Sequence, residues 1–282
     1  MHCPHCKKDG IRRSERYCPK CARDCGFPNV RQAEEPEERK ALADQLAQAT
    51  AEATTRGCAV VLEDFREAVR SSKATINRSL SKLTALVDSD DTLFATFYDL
   101  INAGLKRPPE DEILKIRKIA DELIFPGYEA EIRFAALSLV DNGAPSYGAC
   151  AIVLDEDAIA HRATVFVENT AIFARKEGLG AGKLGVPKGA RAVWAQRDEL
   201  AASKLSGMLK VGTKNAEFQE ILLWSDGKNP EKDTFLEVHI YGPLHRSGIE
   251  KVVVPKSQRR GNAALIMELK SKLEPLGVSV EE

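Results

Sequence analysis

The sequence predicts an α+β protein with an N-terminal zinc ribbon, a helical middle region and a C-terminal sheet domain. Three observations carry that expectation. Cysteines fall in two identical brackets, Cys3-Pro-His-Cys6 and Cys18-Pro-Lys-Cys21. Apolar residues then recur at helical spacing as far as Val87. From Tyr128 onward the texture changes to short apolar runs punctuated by glycine, proline and charge, as in a mixed or strand-rich domain. With 282 residues the chain is long enough for two compact domains, or for one larger domain with appended elements. The expected divisions are a ribbon over 1–31, a helical region over 32–127 and an α+β domain over 128–282.

Each C-x2-C bracket turns two thiolates toward one point, and two brackets supply the four soft ligands of a closed, structural Zn2+ site. Cys3, Cys6, Cys18 and Cys21 are therefore the expected metal ligands. The connector, residues 7–17, is short but suffices for a hairpin. His2, His5 and Cys25 are spare donors, and His5 or Cys25 can replace one thiolate. Cys58 and Cys150 sit in apolar stretches and read as packing residues. Four metal thiolates, with no basic and apolar leader after Met1 and no run long enough to span a membrane, point to a reducing, cytoplasmic setting without a membrane partner. The net charge of −1 gives no whole-chain argument for a polyanionic partner. Locally, however, Lys7, Lys8, Arg12, Arg13, Arg16, Lys20, Arg23 and Arg31 far outnumber Asp9, Glu15 and Asp24 in the ribbon. A second basic stretch runs from Lys251 to Arg260.

After the ribbon, the acidic run Glu34-Glu35-Pro36-Glu37-Glu38 suits a helix start, where proline is tolerated and negative charge meets the positive end of the dipole. Leu42, Leu46, Ala49 and Ala53 fall on one helical face. Gly57 marks a break, Val60, Val61, Phe65 and Val69 follow, and Ile76, Leu80, Leu83 and Val87 continue the pattern. Internal packing of this stripe is favoured over a coiled-coil contact between copies and over docking on the domain that follows. Shorter helices are expected over Thr92–Ala103 and Pro109–Ile124, stopped by Gly104 and Pro126-Gly127.

The clearest strands are Ala149–Leu154, Ala163–Val167, Arg191–Trp194, Glu220–Trp224, Leu236–Tyr241 and Lys251–Val254. A helix near Asp198–Leu209 interrupts them and another follows Asn262. The glycine-rich Gly178–Lys183 stretch has three residues where a phosphate loop needs four before Gly-Lys, and Leu184 where it needs Ser or Thr, so it reads as a surface loop. No nucleophile elbow, His-Glu-x-x-His helix or aspartate-rich metal loop occurs.

In the Leu236–Tyr241 strand, alternation puts Leu236, Val238 and Ile240 on one face and Glu237, His239 and Tyr241 on the other. If Glu220–Trp224 pairs with it so that Trp224 meets Phe235, then Glu220 opposes His239 and two carboxylates, an imidazole and aromatic rings share a surface. A slip of one residue disperses them.

The segments Tyr147–Leu154, His161–Phe166, Phe235–Leu244 and Ile249–Val254 together resemble the ADP-ribosyltransferase-like toxin families of bacteria and phages, over about half the chain. That resemblance implies a split β-sheet with a cleft for NAD as co-substrate, a nucleotide-binding arginine or histidine on an early strand and a catalytic glutamate at the start of a late strand. Carried onto this sequence, the glutamate is Glu237 or Glu220. His161 or Arg162 takes the early nucleotide-binding role, and Tyr147 lines the pocket. No Ser-Thr-Ser element is present, and Thr164 and Ser203 are weak stand-ins.

The residue types suit such chemistry. Loss of nicotinamide leaves oxocarbenium character on the ribose, which a neighbouring carboxylate stabilises. Arginine holds pyrophosphate through charge-assisted hydrogen bonds, and an aromatic face such as Tyr147, Trp194 or Tyr241 can stack the nicotinamide. The expected activity is transfer of ADP-ribose to a macromolecule, with RNA or DNA as a candidate acceptor because of the basic stretches, and with a neutralising antitoxin-like protein as the partner the resemblance implies. The competing expectation is a non-enzymatic nucleic-acid-binding or adaptor protein that grips phosphate with its ribbon.

Overall fold

The structure, a computed structural model, describes residues 2–88, 112–179 and 185–282. It is an α+β fold: a four-cysteine cluster at the N-terminus, then helices and an eight-stranded mixed sheet. The expected Thr92–Ala103 helix lies outside the described residues, as does part of the glycine-rich loop.

Helices Pro28–Ala33, Pro36–Thr55 and Ala59–Arg70 come first. The sheet follows, built from β1 (Lys73–Arg78), β2 (Ile132–Ser138), β3 (Cys150–Leu154), β4 (Ala163–Phe166) and β5 (Arg191–Val193). A two-residue pair, β6 (Leu223–Trp224) and β7 (Thr234–Phe235), forms a separate ribbon. Strands β8 (Glu237–Tyr241), β9 (Ile249–Val253) and β10 (Ser279–Glu281) complete the large sheet. Its order is β10-β9-β3-β1-β2-β8-β4-β5, with only the β9–β10 pair parallel. Both edge strands have three residues, which limits the unpaired backbone offered to other chains.

Period-two alternation sorts the side chains into two faces. The row Ala192, Val165, Val238 and Ala135 runs across β5, β4, β8 and β2, and Ile76, Ile152 and Val252 extend it through β1, β3 and β9. These residues pack against Leu42 and Ala53 of helix 36–55, Leu62, Phe65 and Val69 of helix 59–70, and Leu200 and Ala201 of helix Arg197–Leu205. The apolar stripe of the helical region thus docks on the sheet and on helix 197–205 rather than packing within its own region as favoured from the sequence, because the broad apolar face of the sheet offers far more surface to bury than the neighbouring helix does. The neighbouring row points the other way: Arg191, Phe166, Glu237, Ala136, Thr75, Val153 and Lys251 are successive cross-strand partners. Helices Glu112–Ile124 and Thr170–Glu177 cover its β4–β8 end, contributing Ala120, Ile124, Phe173 and Ala174 to a second core around Phe166.

Two elements differ from expectation. Lys73–Arg78 is an inner strand between β3 and β2 rather than part of a helix, so the sheet draws strands from both sides of position 128. Ala74 and Ile76 face the main core while Thr75 and Asn77 face the other side, a four-residue alternation that the helical count through Ile76 concealed. The helix after it begins at Leu80, so Leu80 and Leu83 keep their helical role. Second, Glu220–Trp224 is not a strand. Phe218–Leu222 is a short helix that buries Phe218 and Leu222, four apart, and only Leu223–Trp224 is extended. Leu223 meets Phe235 and Trp224 meets Thr234, one residue away from the expected register, and β8 pairs with β2 and β4 instead.

The turn Pro145–Tyr147, which borders the second face, depends on Gly148. At φ of 152°, a Cβ there would lie 2.2 Å from the carbonyl carbon of Arg78 and 2.6 Å from the Ser79 nitrogen. Rigid backbone cannot yield, so Gly148→Ala is expected to destabilise the protein by about 2–4 kcal/mol, from overpacking plus an unfavourable φ. A fall in thermal midpoint measures it, and an unchanged midpoint refutes the close approach.

Candidate functional site

The ribbon presents the first candidate. The Sγ atoms of Cys3, Cys6, Cys18 and Cys21 all lie within 4.8 Å of one another. Cys3 and Cys21 are 3.7 Å apart at sulfur and Cys6 and Cys18 3.6 Å. Four sulfurs at about 2.3 Å from a zinc ion form a tetrahedron with edges of about 3.8 Å. The donor set therefore fits a closed zinc site.

The two brackets fold alike. Lys7 N donates to Cys3 O at 3.1 Å and Ala22 N to Cys18 O at 2.8 Å, while Cys3 N donates to Lys8 O at 2.8 Å and Cys18 N to Arg23 O at 2.9 Å. Lys7 and Ala22, each following a second cysteine, are the non-glycine residues with positive φ, at 58° and 56°. Left-handed backbone at such residues is held by its surroundings, here by the need to aim two sulfurs at one point. Amides also point at sulfur: His5 N and Cys6 N donate to Cys3 Sγ at 3.4 and 3.5 Å, and Lys20 N to Cys18 Sγ at 3.4 Å. Burial opposes the Cys3 thiolate, but the Cys6 and His5 amides outweigh it and hold the thiol down at about 6.

The spare donors sort themselves. His5 Nε2 is engaged with Asp24 O at 2.8 Å. Cys25 Sγ lies 3.9 Å from Cys3 Sγ, and burial, then the Cys3 sulfur, pushes its thiol up, so it sits beside the cluster as an S–H donor. Residues 7–17 form no hairpin; the antiparallel bridge joins Tyr17 to Asp24. Phe27 and Asn29 then anchor the ribbon to the sheet. Phe27 packs on His161 and Tyr241 at 5.5 and 5.7 Å, and Asn29 Nδ2 donates to Arg162 O and His239 O at 2.9 and 3.1 Å.

The second candidate lies on the face of the sheet opposite the main core. Glu237 opens β8, between Phe166 and Ala136, and is 2% exposed. Its Oε1 accepts from Asn169 Nδ2 at 3.0 Å and its Oε2 from Thr170 N at 2.9 Å, with His239 Nε2 3.2 Å from Oε2. Asn169 caps helix Thr170–Glu177, its Oδ1 accepting from Ala171 N and Ile172 N. The carboxylate therefore sits at a helix N-terminus, where amides and dipole favour negative charge. Phe125, Phe134 and Phe166 surround the His239 ring at centroid distances of 4.7, 5.5 and 5.4 Å. Asn169 Nδ2 also lies 3.4 Å from the hydroxyl of Tyr147, which is 37% exposed. A chain of groups, Glu237, Asn169 and Tyr147, thus leads from the buried carboxylate to the surface.

The other expected site residues lie outside this chain. Thr164, opposite His239 and buried, meets Asn29 Nδ2 at 3.5 Å. Arg162 is half-buried and spends its guanidinium on Ala158 O, Tyr241 O and Pro243 O at 3.0, 2.8 and 2.7 Å. His161 is exposed beside Phe27. Glu220 is exposed on its short helix, with no resolved hydrogen bond to the Glu237 network, because the expected hairpin does not form. Asn169 and Thr170 went unnoticed in the sequence, although Asn before Thr-Ala-Ile-Phe is a legible helix start. A groove of about 310 Å³ between Gln45, Gln48, Lys188 and Lys204 is lined by Ser203 but by neither glutamate, nor by Tyr147, His161, Arg162 or Thr164.

No family model matches this chain, and none of the curated proteins is significantly similar to it. Among the described residues no helix is long and apolar enough to cross a membrane.

Proposed function

We propose that this protein is an NAD-consuming ADP-ribosyltransferase-like effector in which Glu237 is the catalytic carboxylate and the zinc ribbon is a structural and targeting module. The observation that carries this reading is the fixation of Glu237 by Asn169, Thr170 N–H and His239 at a helix N-terminus, connected to the surface through Tyr147. A carboxylate held by oriented donors pays little to reorganise as charge develops beside it. Each carboxylate oxygen has two lone pairs, so Oε1, with Asn169 on one side, retains capacity for a ribose hydroxyl.

In the proposed reaction the bond between the nicotinamide nitrogen and ribose C1′ breaks, and neutral nicotinamide leaves with the bonding electrons. Glu237 stabilises the positive charge left on the ribose, the acceptor nucleophile adds to C1′, and its proton passes to solvent or base. Tyr147 stacks or orients the nicotinamide from the open side. The large sheet is continuous through β8 and not split as the resemblance implied, so the cleft of this proposal is the space over Glu237 at the start of that late strand. Arg162 contributes by fixing the backbone after β8 and not by binding pyrophosphate.

A nucleic-acid acceptor is favoured by the ribbon. Lys8, Arg12, Lys20 and Arg23 are exposed and form no ion pair among the described residues, and exposed Tyr17 lies under Arg16 at 5.0 Å. The Lys251–Arg260 stretch is less suitable, because Lys251 pairs with Asp141 and Arg259 with Glu282. The same ribbon cations support the second reading, a non-enzymatic nucleic-acid-binding protein. An antitoxin-like protein partner belongs to the effector reading alone.

The test is incubation with labelled NAD and RNA, DNA or protein acceptors, following nicotinamide release and label transfer. Glu220→Ala is expected to retain wild-type turnover. Loss of activity in Glu220→Ala together with full activity in Glu237→Gln would reverse the assignment.

A further inference from the structure

Glu237 is closed off from solvent, and a loop at the border of its face is fastened on two sides. Residues 225–233, the loop joining β6 to β7, are tied to both walls of the site. On one wall Ser146 Oγ donates a hydrogen bond to Asp233 Oδ2, and Gly227 approaches Pro145, so the loop is fastened to the Pro145–Tyr147 turn. On the other wall Arg175 of helix Thr170–Glu177 forms an ion pair with Glu231 at 3.5 Å. Between them, Phe235 packs edge-on against Tyr147 with centroids 6.1 Å apart. Tyr147 in turn meets Asn169, the partner of Glu237, and Phe235 packs with Ala136, the cross-strand neighbour of Glu237.

We propose that the 225–233 loop is a strap over Glu237, latched by Asp233–Ser146 and Arg175–Glu231, and that it lifts to admit the dinucleotide. The inference rests on the proposed role of Glu237. The latches are unequal. Arg175 and Glu231 are each half-exposed, and such a pair is weak and screened by salt. Asp233 is 1% exposed, and its Oδ1 is buried without a hydrogen-bond partner. Burial pushes its carboxyl up, against the Ser146 and Ser225 hydroxyls that hold it down. Ser225 belongs to the loop itself, so Ser146 is the hydroxyl that fastens this carboxyl to the facing turn, and the closure is released once the two separate. Internal Asx-type bonds, Lys228 N and Asn229 N both donating to Asp226 Oδ1 at 2.8 Å, let the loop move as a unit.

The experiment compares wild type with Ser146→Ala, Arg175→Glu and their combination, using Asp233→Asn in place of Ser146→Ala if the latter fails to fold. Two readouts are independent of activity: amide hydrogen exchange over 225–233, and modification of Glu237 by a water-soluble carbodiimide with an added amine, which converts an accessible carboxylate to an amide. In the double variant, loop exchange is expected to rise about tenfold or more and Glu237 to become labelled, whereas wild-type Glu237 stays unlabelled. A strap that is closed most of the time lowers apparent NAD affinity by its open fraction, so kcat/KM for NAD is expected to rise about tenfold in the same variant. Unchanged loop exchange, a raised exchange with Glu237 still unlabelled, or rapid labelling of Glu237 in wild type would each overturn the strap. Labelling without any NAD cleavage in the opened variant sinks the NAD reading and leaves the strap standing.

Discussion

Replacing Glu237 by Gln is expected to lower NAD cleavage by about 10²–10³-fold with little change in KM, since the substitution removes charge from beside the reacting ribose and keeps the shape of the side chain. Quantified nicotinamide release at saturating NAD measures it, and a variant within threefold of wild type would end the catalytic assignment. Gln in place of Glu still accepts from either Asn169 or Thr170 N–H, but its amide nitrogen faces a donor on one side. Glu237→Ala is a harsher change. It strands the Asn169 amide, the Thr170 N–H and the His239 ring in a buried site, each unmade bond costing about 1–3 kcal/mol. Glu237→Ala, which strands all of these partners, is therefore expected to fall further in thermal midpoint than Glu237→Gln, which strands one donor, so loss of activity in a Gln variant that stays folded at the assay temperature isolates chemistry from folding.

Removal of zinc is the other large expected effect. Residues 2–26 bury little besides Ile11 and the cysteine cluster, so a metal held by the four cysteines would supply most of what holds them. Zinc bound by four thiolates contributes on the order of 10 kcal/mol or more to folding such a segment. Chelation at neutral pH is expected to release zinc and to open the amides of the ribbon to exchange, while the sheet, with its separate core, keeps its protection. Metal analysis of single Cys→Ser variants adds a finer expectation. Cys6→Ser and Cys18→Ser lose the metal, Cys25→Ser keeps it, and Cys3→Ser retains part of it, because the Cys25 sulfur lies 3.9 Å from the Cys3 position and can replace it. Full zinc content in Cys6→Ser would rule out the four-thiolate site. If the ribbon targets nucleic acid, binding to RNA or DNA is lost along with the metal.

Much of the architecture was legible because local pattern and final environment agree. The two brackets announce their own geometry, since a C-x2-C turn needs no distant partner to aim its sulfurs. Strands β3, β4, β8 and β9 alternate or run apolar over four or five residues between clear breakers, and their sequence read correctly within a residue or two. Lys73–Arg78 did not, because Ile76 also fits the helical count that continues through Leu80 and Leu83. Its strand state is imposed by β2 and β3 on either side, both more than fifty residues later in the chain.

The candidate site divides the same way. That Glu237 and His239 share a face follows from strand alternation alone, and Tyr147 was singled out by the resemblance. That Glu220 stands apart from them follows from the helical spacing of Phe218 and Leu222, which captures the preceding residues before any hairpin forms. Asn169 and Thr170 reach Glu237 only because β4 pairs with β8 so that Phe166 meets Glu237, bringing the following helix start over the carboxylate.

The sequence by itself determined the zinc ligands, the core face of the late strands and the polar face that carries Glu237, because each depends on spacing within a few residues. Only the tertiary structure decided that Glu237 is capped by a helix N-terminus and that the 225–233 loop is fastened to the Pro145–Tyr147 turn. Those contacts join residues 67 and 68 apart at the helix and 87 apart at the latch, and no local pattern encodes a distance of that kind.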